Sequence, residues 1–147
     1  MLLFLGFFFT VFAYVAIGMT AGFLGVLLDH FALILVVLPL AFFLLASKSG
    51  KIIGNYITAS FKKDFPYTKT ELEGLISAVE NTIKFVLATG IFSFITFVII
   101  SLGYIGAPER LGPSIAISLT SLTYSISISF FVFFPVQAWA KNKINAV

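Results

Sequence analysis

The chain has 147 residues, 60% of them hydrophobic and 10% charged, with 19 Phe and a mean hydropathy of +1.11; this lies outside the range of soluble domains and inside that of multi-span membrane proteins. A net charge of +3 does not indicate a nucleic-acid footprint. Zero Cys removes disulfides, thiolate metal sites and cysteine nucleophiles together, and a single His, His30, leaves little from which to build a metal site.

Residues 1 to 28 form the first uncharged segment. They lack a basic n-region and run well past the length of a signal-peptide core, so they read as a retained span over about residues 3–24. Gly18 and Gly22 give this segment a close-packing GxxxG spacing. Asp29 and His30 then mark a turn, read as solvated, and the second span follows over about 30–47. Pro39 falls in mid-span, where a missing N–H predicts a kink or a loosened hydrogen bond.

The loop from 48 to 83 is polar but patterned. Ile52, Ile53, Tyr56, Ile57 and Phe61 fall near helical spacing, and Leu72, Leu75, Ile76, Val79 and Ile83 share one face beyond Phe65-Pro66. Thr70 with Glu73 fits a capping box. The expectation is a short helical hairpin around Pro66, by which spans two and three project from the membrane. The interspersed Glu71, Glu73, Glu80, Lys69 and Lys84 read as its solvated surface. Span three follows over about 84–105 and span four over about 114–138. Each segment supplies the roughly 20 residues needed to cross about 30 Å of hydrocarbon.

Orientation follows from the basic residues. Eight of the nine Lys and Arg lie between spans two and three or after span four, and only Arg110 lies elsewhere. By the positive-inside tendency that side, with both termini, is cytoplasmic. The fold class is thus all-α: an integral membrane protein with four transmembrane helices and a short cytoplasmic helical hairpin, one domain over 1–147.

Span four is the richest in function. Ser114, Ser118, Ser121, Ser125 and Ser129 follow steps of four, three, four and four, which on a helix confines them to an arc of about 80°. Thr120, Thr123 and Ser127 gather on the opposite side, with Ile115, Leu119, Leu122 and Ile126 between. Two hydroxyl faces suit a helix that packs on one side and meets water or a polar partner on the other. The serines either join helices or line a polar path. In span three, Thr89, Ser93 and Thr96 follow helical spacing and face span four across a narrow polar seam. No span carries Asp, Glu, Lys, Arg or His within its uncharged run, whereas proton relays and ion-coupled pumps use one. If the chain conducts protons, the titrating carboxylate comes from another protein.

The stretch LGYIGAPERLGPSIAISLTSLTYSISISFFVFFPVQAWAKNK resembles the third-to-fourth-span region of the MotA branch of the MotA/TolQ/ExbB proton-channel family. The matching positions are Ala107-Pro108, Leu111-Gly112-Pro113, Ser121-Leu122-Thr123-Tyr124-Ser125 and Pro135. The stretch around Asp29, GFLGVLLDHFALILVV, is similar to that family's first outer turn. The resemblance implies a short form lacking most of the cytoplasmic domain, in the bacterial cytoplasmic (inner) membrane. It also implies a homopentameric ring around a dimer of a single-span MotB/ExbD-like partner, whose membrane Asp takes up the ion. On that basis Ser93, Thr96, Ser118, Ser121, Ser125, Ser129 and Tyr124 are expected on the ion path or facing the partner, and Pro135 is expected to act as a hinge.

The chain departs from the pattern where Leu87 replaces a Pro, where Ser93-Phe94 replaces a Gly-Thr pair and where Leu122 replaces the second Thr of the Thr-Thr pair. Protons are therefore the preferred ion. The function expected is an ion-conducting, stator-type ring subunit that converts proton motive force into mechanical work, with no enzymatic activity, no cofactor and no metal. The alternative is a non-conducting tetraspan scaffold or assembly factor. Trp139 reads as an interfacial anchor beside Pro135.

Overall fold

The computed structural model describes residues 29–60 and 67–145; the first span, Gly18, Gly22 and Phe61 lie outside the described residues. Among them every element is helical: α1 (His30–Ala46), α2 (Lys48–Ser60), α3 (Lys69–Leu102), α4 (Pro108–Ser127), a π-helical segment (Ile128–Phe133) and α5 (Phe134–Ile144).

Asp29 starts α1. Its Oδ1 accepts from the N–H groups of Phe31 at 2.9 Å and Ala32 at 3.2 Å, which satisfies two of the donors a helix start leaves unpaired. Half-buried Asp29 is therefore a built cap rather than the solvated turn expected of it. From there α1 runs through Pro39 as one element. Its sharp break comes at Ser47, where the backbone is extended and α2 leaves at 93°. Gly50 explains the location. A Cβ there would overlap the carbonyl group of Leu44, so only a residue without one lets the first turn of α2 close against the last turn of α1. The Ser47 N–H still donates to the Phe43 carbonyl at 2.9 Å. Span two thus turns sideways instead of projecting.

The capping box lies two residues upstream of the expected Thr70–Glu73 pair. Thr68 Oγ1 accepts from the Glu71 N–H, and Glu71 Oε2 accepts from the Thr68 N–H at 2.9 Å. The stretch TKTE-LE allows both registers, and the earlier one gains intrahelical bonds as soon as the chain clears Pro66. From Thr68, α3 continues unbroken for 34 residues, about 51 Å at 1.5 Å per residue. Lys84, where the membrane-depth part of span three is expected to begin, pairs with Glu80 at 2.8 Å on the continuing helix. The second limb of the predicted hairpin and span three are one rod.

Two stretches are long and apolar enough to cross a membrane, Lys69–Leu102 and Glu109–Ile144, and α1 with α2 makes a third if the bent pair counts as one. Leu72, Leu75, Ala78, Val79 and Val86 of α3 form the core with Val36, Ile53, Phe133 and Ala140. Large apolar side chains are exposed along the other faces, among them Phe31, Leu38 and Phe42 of α1 and Phe92, Ile95 and Ile99 of α3. Such a surface is matched by lipid rather than water.

Candidate functional site

Helices α3 and α4 are antiparallel neighbours, and the stripe of α4 that packs on α3 is the serine ladder. Ser118, Ser121 and Ser125 are 0% exposed, Ser129 2% and Ser114 7%. Opposite them α3 presents Ser101, Ser93 and Gly90, all buried. At the far end of the seam Ser101 Oγ lies 2.7 Å from the Phe97 carbonyl and 2.8 Å from Ser114 Oγ. With one proton each, one hydroxyl donates to the carbonyl and the other to its fellow hydroxyl. Further along, Gly90 faces Ser125, and a Cβ on the glycine would overlap both Ser125 Oγ and Ser125 Cβ.

The hydroxyl protons in the middle of the ladder are committed to their own helix. Ser118 Oγ donates to the Ile115 carbonyl at 2.7 Å, Ser121 to Ser118 at 2.9 Å and Ser125 to Ser121 at 3.0 Å. Serine serves here because it is small and satisfies itself by bonding backward, so two backbones approach without leaving an unpaired polar group. Ser129 differs. Its Oγ is buried without a hydrogen-bond partner among the described residues, and it sits where the helix widens into the π segment.

That widening has a local cause. Pro135 has no N–H for the carbonyl four residues back, and the Phe134 N–H reaches five residues back, to Ser129. The polypeptide thus takes up an extra residue just before the proline, as π segments do. The candidate span nevertheless runs on through it from Glu109 to Ile144. The distortion at the expected hinge lies upstream of Pro135, over Ile128–Phe133.

The second hydroxyl face of α4 points away from α3. Thr123 is exposed, and Thr120 and Ser127 are partly so. Thr123 Oγ1 donates to the Leu119 carbonyl at 2.9 Å and Thr120 Oγ1 to the Ala116 carbonyl at 2.8 Å. On α3, Thr96 and Thr89 lie off the buried stripe, partly exposed, and donate to Phe92 at 2.8 Å and Phe85 at 2.9 Å. A threonine whose proton is used in this way still turns oxygen lone pairs outward. Such an oxygen can accept a hydrogen bond from an O–H or N–H donor that reaches it.

Of the residues singled out from sequence, then, Ser93, Ser118, Ser121, Ser125 and Ser129 come together inside one chain, while Thr96 stays on an outer face. Tyr124 is half-buried against the core, and its hydroxyl meets the backbone of Asp29, which ties the start of α1 to α4. Gly90 and Ser101 complete the seam, and neither belongs to the Thr89–Ser93–Thr96 spacing on which the reading of span three rests. The signal for them was the spacing of small residues at 90, 93 and 101, which the more prominent Thr89–Ser93–Thr96 pattern masks. Trp139 packs with Tyr56 and Tyr67, its ring centroid 5.1 Å and 5.6 Å from theirs.

Comparison with protein-family models, with curated proteins and with solved structures returns no match to this chain.

Proposed function

We propose that this chain is a membrane-embedded, ion-conducting ring subunit of the stator type. It works as a homopentamer around a single-span partner whose membrane carboxyl group carries the ion. The observation that carries the reading is the outward hydroxyl face of α4, where Thr120 and Thr123 present acceptor oxygens beside the exposed Leu119 and Ile126, as Thr96 does on α3. These helices hold no carboxylate, amine or imidazole at membrane depth. Acceptors without an acid suit a wall along which another protein's acid is protonated and released.

In this mechanism the two faces of α4 divide the labour. The serine seam holds α3 and α4 as one rigid unit, since the hydroxyls of Ser118, Ser121 and Ser125 are satisfied within α4 and those of Ser101 and Ser114 by each other and the Phe97 carbonyl. The threonine face meets the partner. A protonated carboxyl group donates to a threonine oxygen, whereas its deprotonated form finds no donor there because each threonine proton is engaged with a backbone carbonyl. The wall therefore favours the neutral form and lets it pass. The π segment before Pro135 gives α4 a place to yield as the partner moves. The bacterial inner membrane is the proposed location, with the lysine-rich end cytoplasmic.

One observation favours a second reading, a non-conducting tetraspan scaffold. The densest run of hydroxyls is enclosed within a single chain at 0 to 7% exposure, as helix packing alone requires. Purification of the complex from its native membrane separates the two readings. The stator reading expects a co-purifying single-span protein with one Asp in its span, and ion flux in proteoliposomes that stops when that Asp becomes Asn. A particle that holds no such partner and passes no ions supports the scaffold.

A further inference from the structure

The lysine-bearing end of the bundle carries features that ion conduction does not use. Helix α2 leaves α1 at 93° and lies across the end of the bundle. One face is buried through Ser49 and Ile53, with Ile52 and Tyr56 half-buried beside them. Lys48 and Lys51, one turn apart, are exposed along one edge, and Ile57 is 53% exposed along the other. This is the design of a helix lying in the plane of a membrane interface, apolar edge toward the acyl chains and lysines toward the headgroups. Beside it, Tyr56, Tyr67 and Trp139 form a half-buried aromatic cluster, the residue types that settle at headgroup level. Lys141 and Lys143, exposed in the last turn of α5, follow directly.

The nearby acids are mostly engaged. Glu80 pairs with Lys84 and also feels the charge of Lys141. Glu71 is held by Thr68, and Glu73 stands exposed on the opening turns of α3. Among the described residues the one ion pair is that between Lys84 and Glu80. Among the described residues, Lys48, Lys51, Lys141 and Lys143 are therefore four exposed cations with no acid paired to them, on the two helices that also carry Tyr56 and Trp139 of the aromatic cluster. We propose that this end of the bundle binds the headgroups of anionic phospholipids, through Lys48 and Lys51 on α2 and Lys141 and Lys143 on α5. The proposal rests on the membrane reading of the chain and not on ion conduction.

The test uses the full chain, reconstituted in nanodiscs of mixed phosphatidylglycerol and phosphatidylcholine and examined by native mass spectrometry for retained lipid. Phosphatidylglycerol is expected to be retained above its share of the mixture, and added salt is expected to reduce that excess. The paired changes Lys48→Gln/Lys51→Gln and Lys141→Gln/Lys143→Gln each weaken retention, by up to about fivefold per lysine removed, while the Lys→Arg versions preserve it. Retention in proportion to the mixture, or an excess indifferent to salt, overturns the proposal without requiring any variant to fold. So does unchanged retention in the Gln variants. Ion flux is measured separately, in proteoliposomes of the complex purified from its native membrane, and absence of flux there alongside selective lipid retention in the nanodiscs counts against the stator reading alone.

Discussion

Gly90→Ala puts the helix seam under direct test. A methyl group at this position would occupy the space of Ser125 Oγ and Cβ. Rotating the serine hydroxyl moves Oγ away, but Cβ is bonded to the α4 backbone and cannot leave without moving the helix. Carbon atoms pack at about 3.5–4.0 Å, so α3 and α4 must separate by on the order of 1 Å. Overpacking of this kind costs about 1–3 kcal/mol. Replacing glycine by alanine inside a helix returns about 1 kcal/mol, and parting the Ser101–Ser114 contact removes about 0.6 kcal/mol more. The net expectation is a loss of about 0.6–2.6 kcal/mol. Adding Ser125→Gly removes the atoms that clash and moves the small residue from one helix to the other, so the double variant recovers most of the loss. Reversible unfolding of the purified chain in mixed micelles, run as a double-mutant cycle, reads this as a coupling energy of about 1–2 kcal/mol. A Gly90→Ala protein as stable as the parent, or a double variant whose losses simply add, refutes the seam.

Gly50→Ala drives a methyl group into the Leu44 carbonyl and is expected to cost at least about 2 kcal/mol; a spin-label distance between α1 and α2 that stays at its parent value would show that the bend does not depend on the glycine. Asp29→Asn keeps a good helix cap while removing the charge, so stability and ion flux are both expected to stay near parent values; loss of flux in a stable variant would place the working acid in this chain instead of a partner. Glu71 is held below the usual carboxylate range by the Thr68 N–H and then by its hydroxyl, and a lowered folded-state value means that its contribution to stability is complete above the ordinary Glu range and fades as the pH falls through the lowered value. Glu71→Gln retains the box but does not titrate, so thermal unfolding of the parent should weaken more on acidification than that of the variant, and superimposable pH profiles contradict this.

How far the fold could be read in advance depended on where the deciding atoms lie. The two faces of α4 were legible because serine and threonine recur at helical spacing from 114 to 129. Which face would be buried was not, because that depends on what α3 sets opposite. The deciding residue there, Gly90, has no side chain to pattern. Pro39, the conspicuous helix breaker, was expected to kink span two or loosen a hydrogen bond, and α1 runs through it as one helix because a membrane helix absorbs one missing N–H. The chain turns where Gly50 allows one backbone to touch another. At the start of α3, two overlapping Thr-x-x-Glu registers were equally good locally, and helix length decided between them. The continuity of α3 past Lys84 accords with a span three that projects from the membrane, since charge marks the depth at which lipid ends but does not end a helix.

The most direct measurement exploits the absence of cysteine from the chain. Single cysteines are placed at Thr123, at Ser121 and at the exposed Leu119 in the assembled complex in membranes, and their reaction with a water-soluble thiol reagent is timed. The account predicts fast labelling at 123, where a hydrated path runs beside the partner, with slow labelling at 119 in lipid and at 121 in the seam. Labelling at 123 no faster than at 119 would mean that the threonine face looks onto lipid, and the claim that α4 walls an ion path would be wrong.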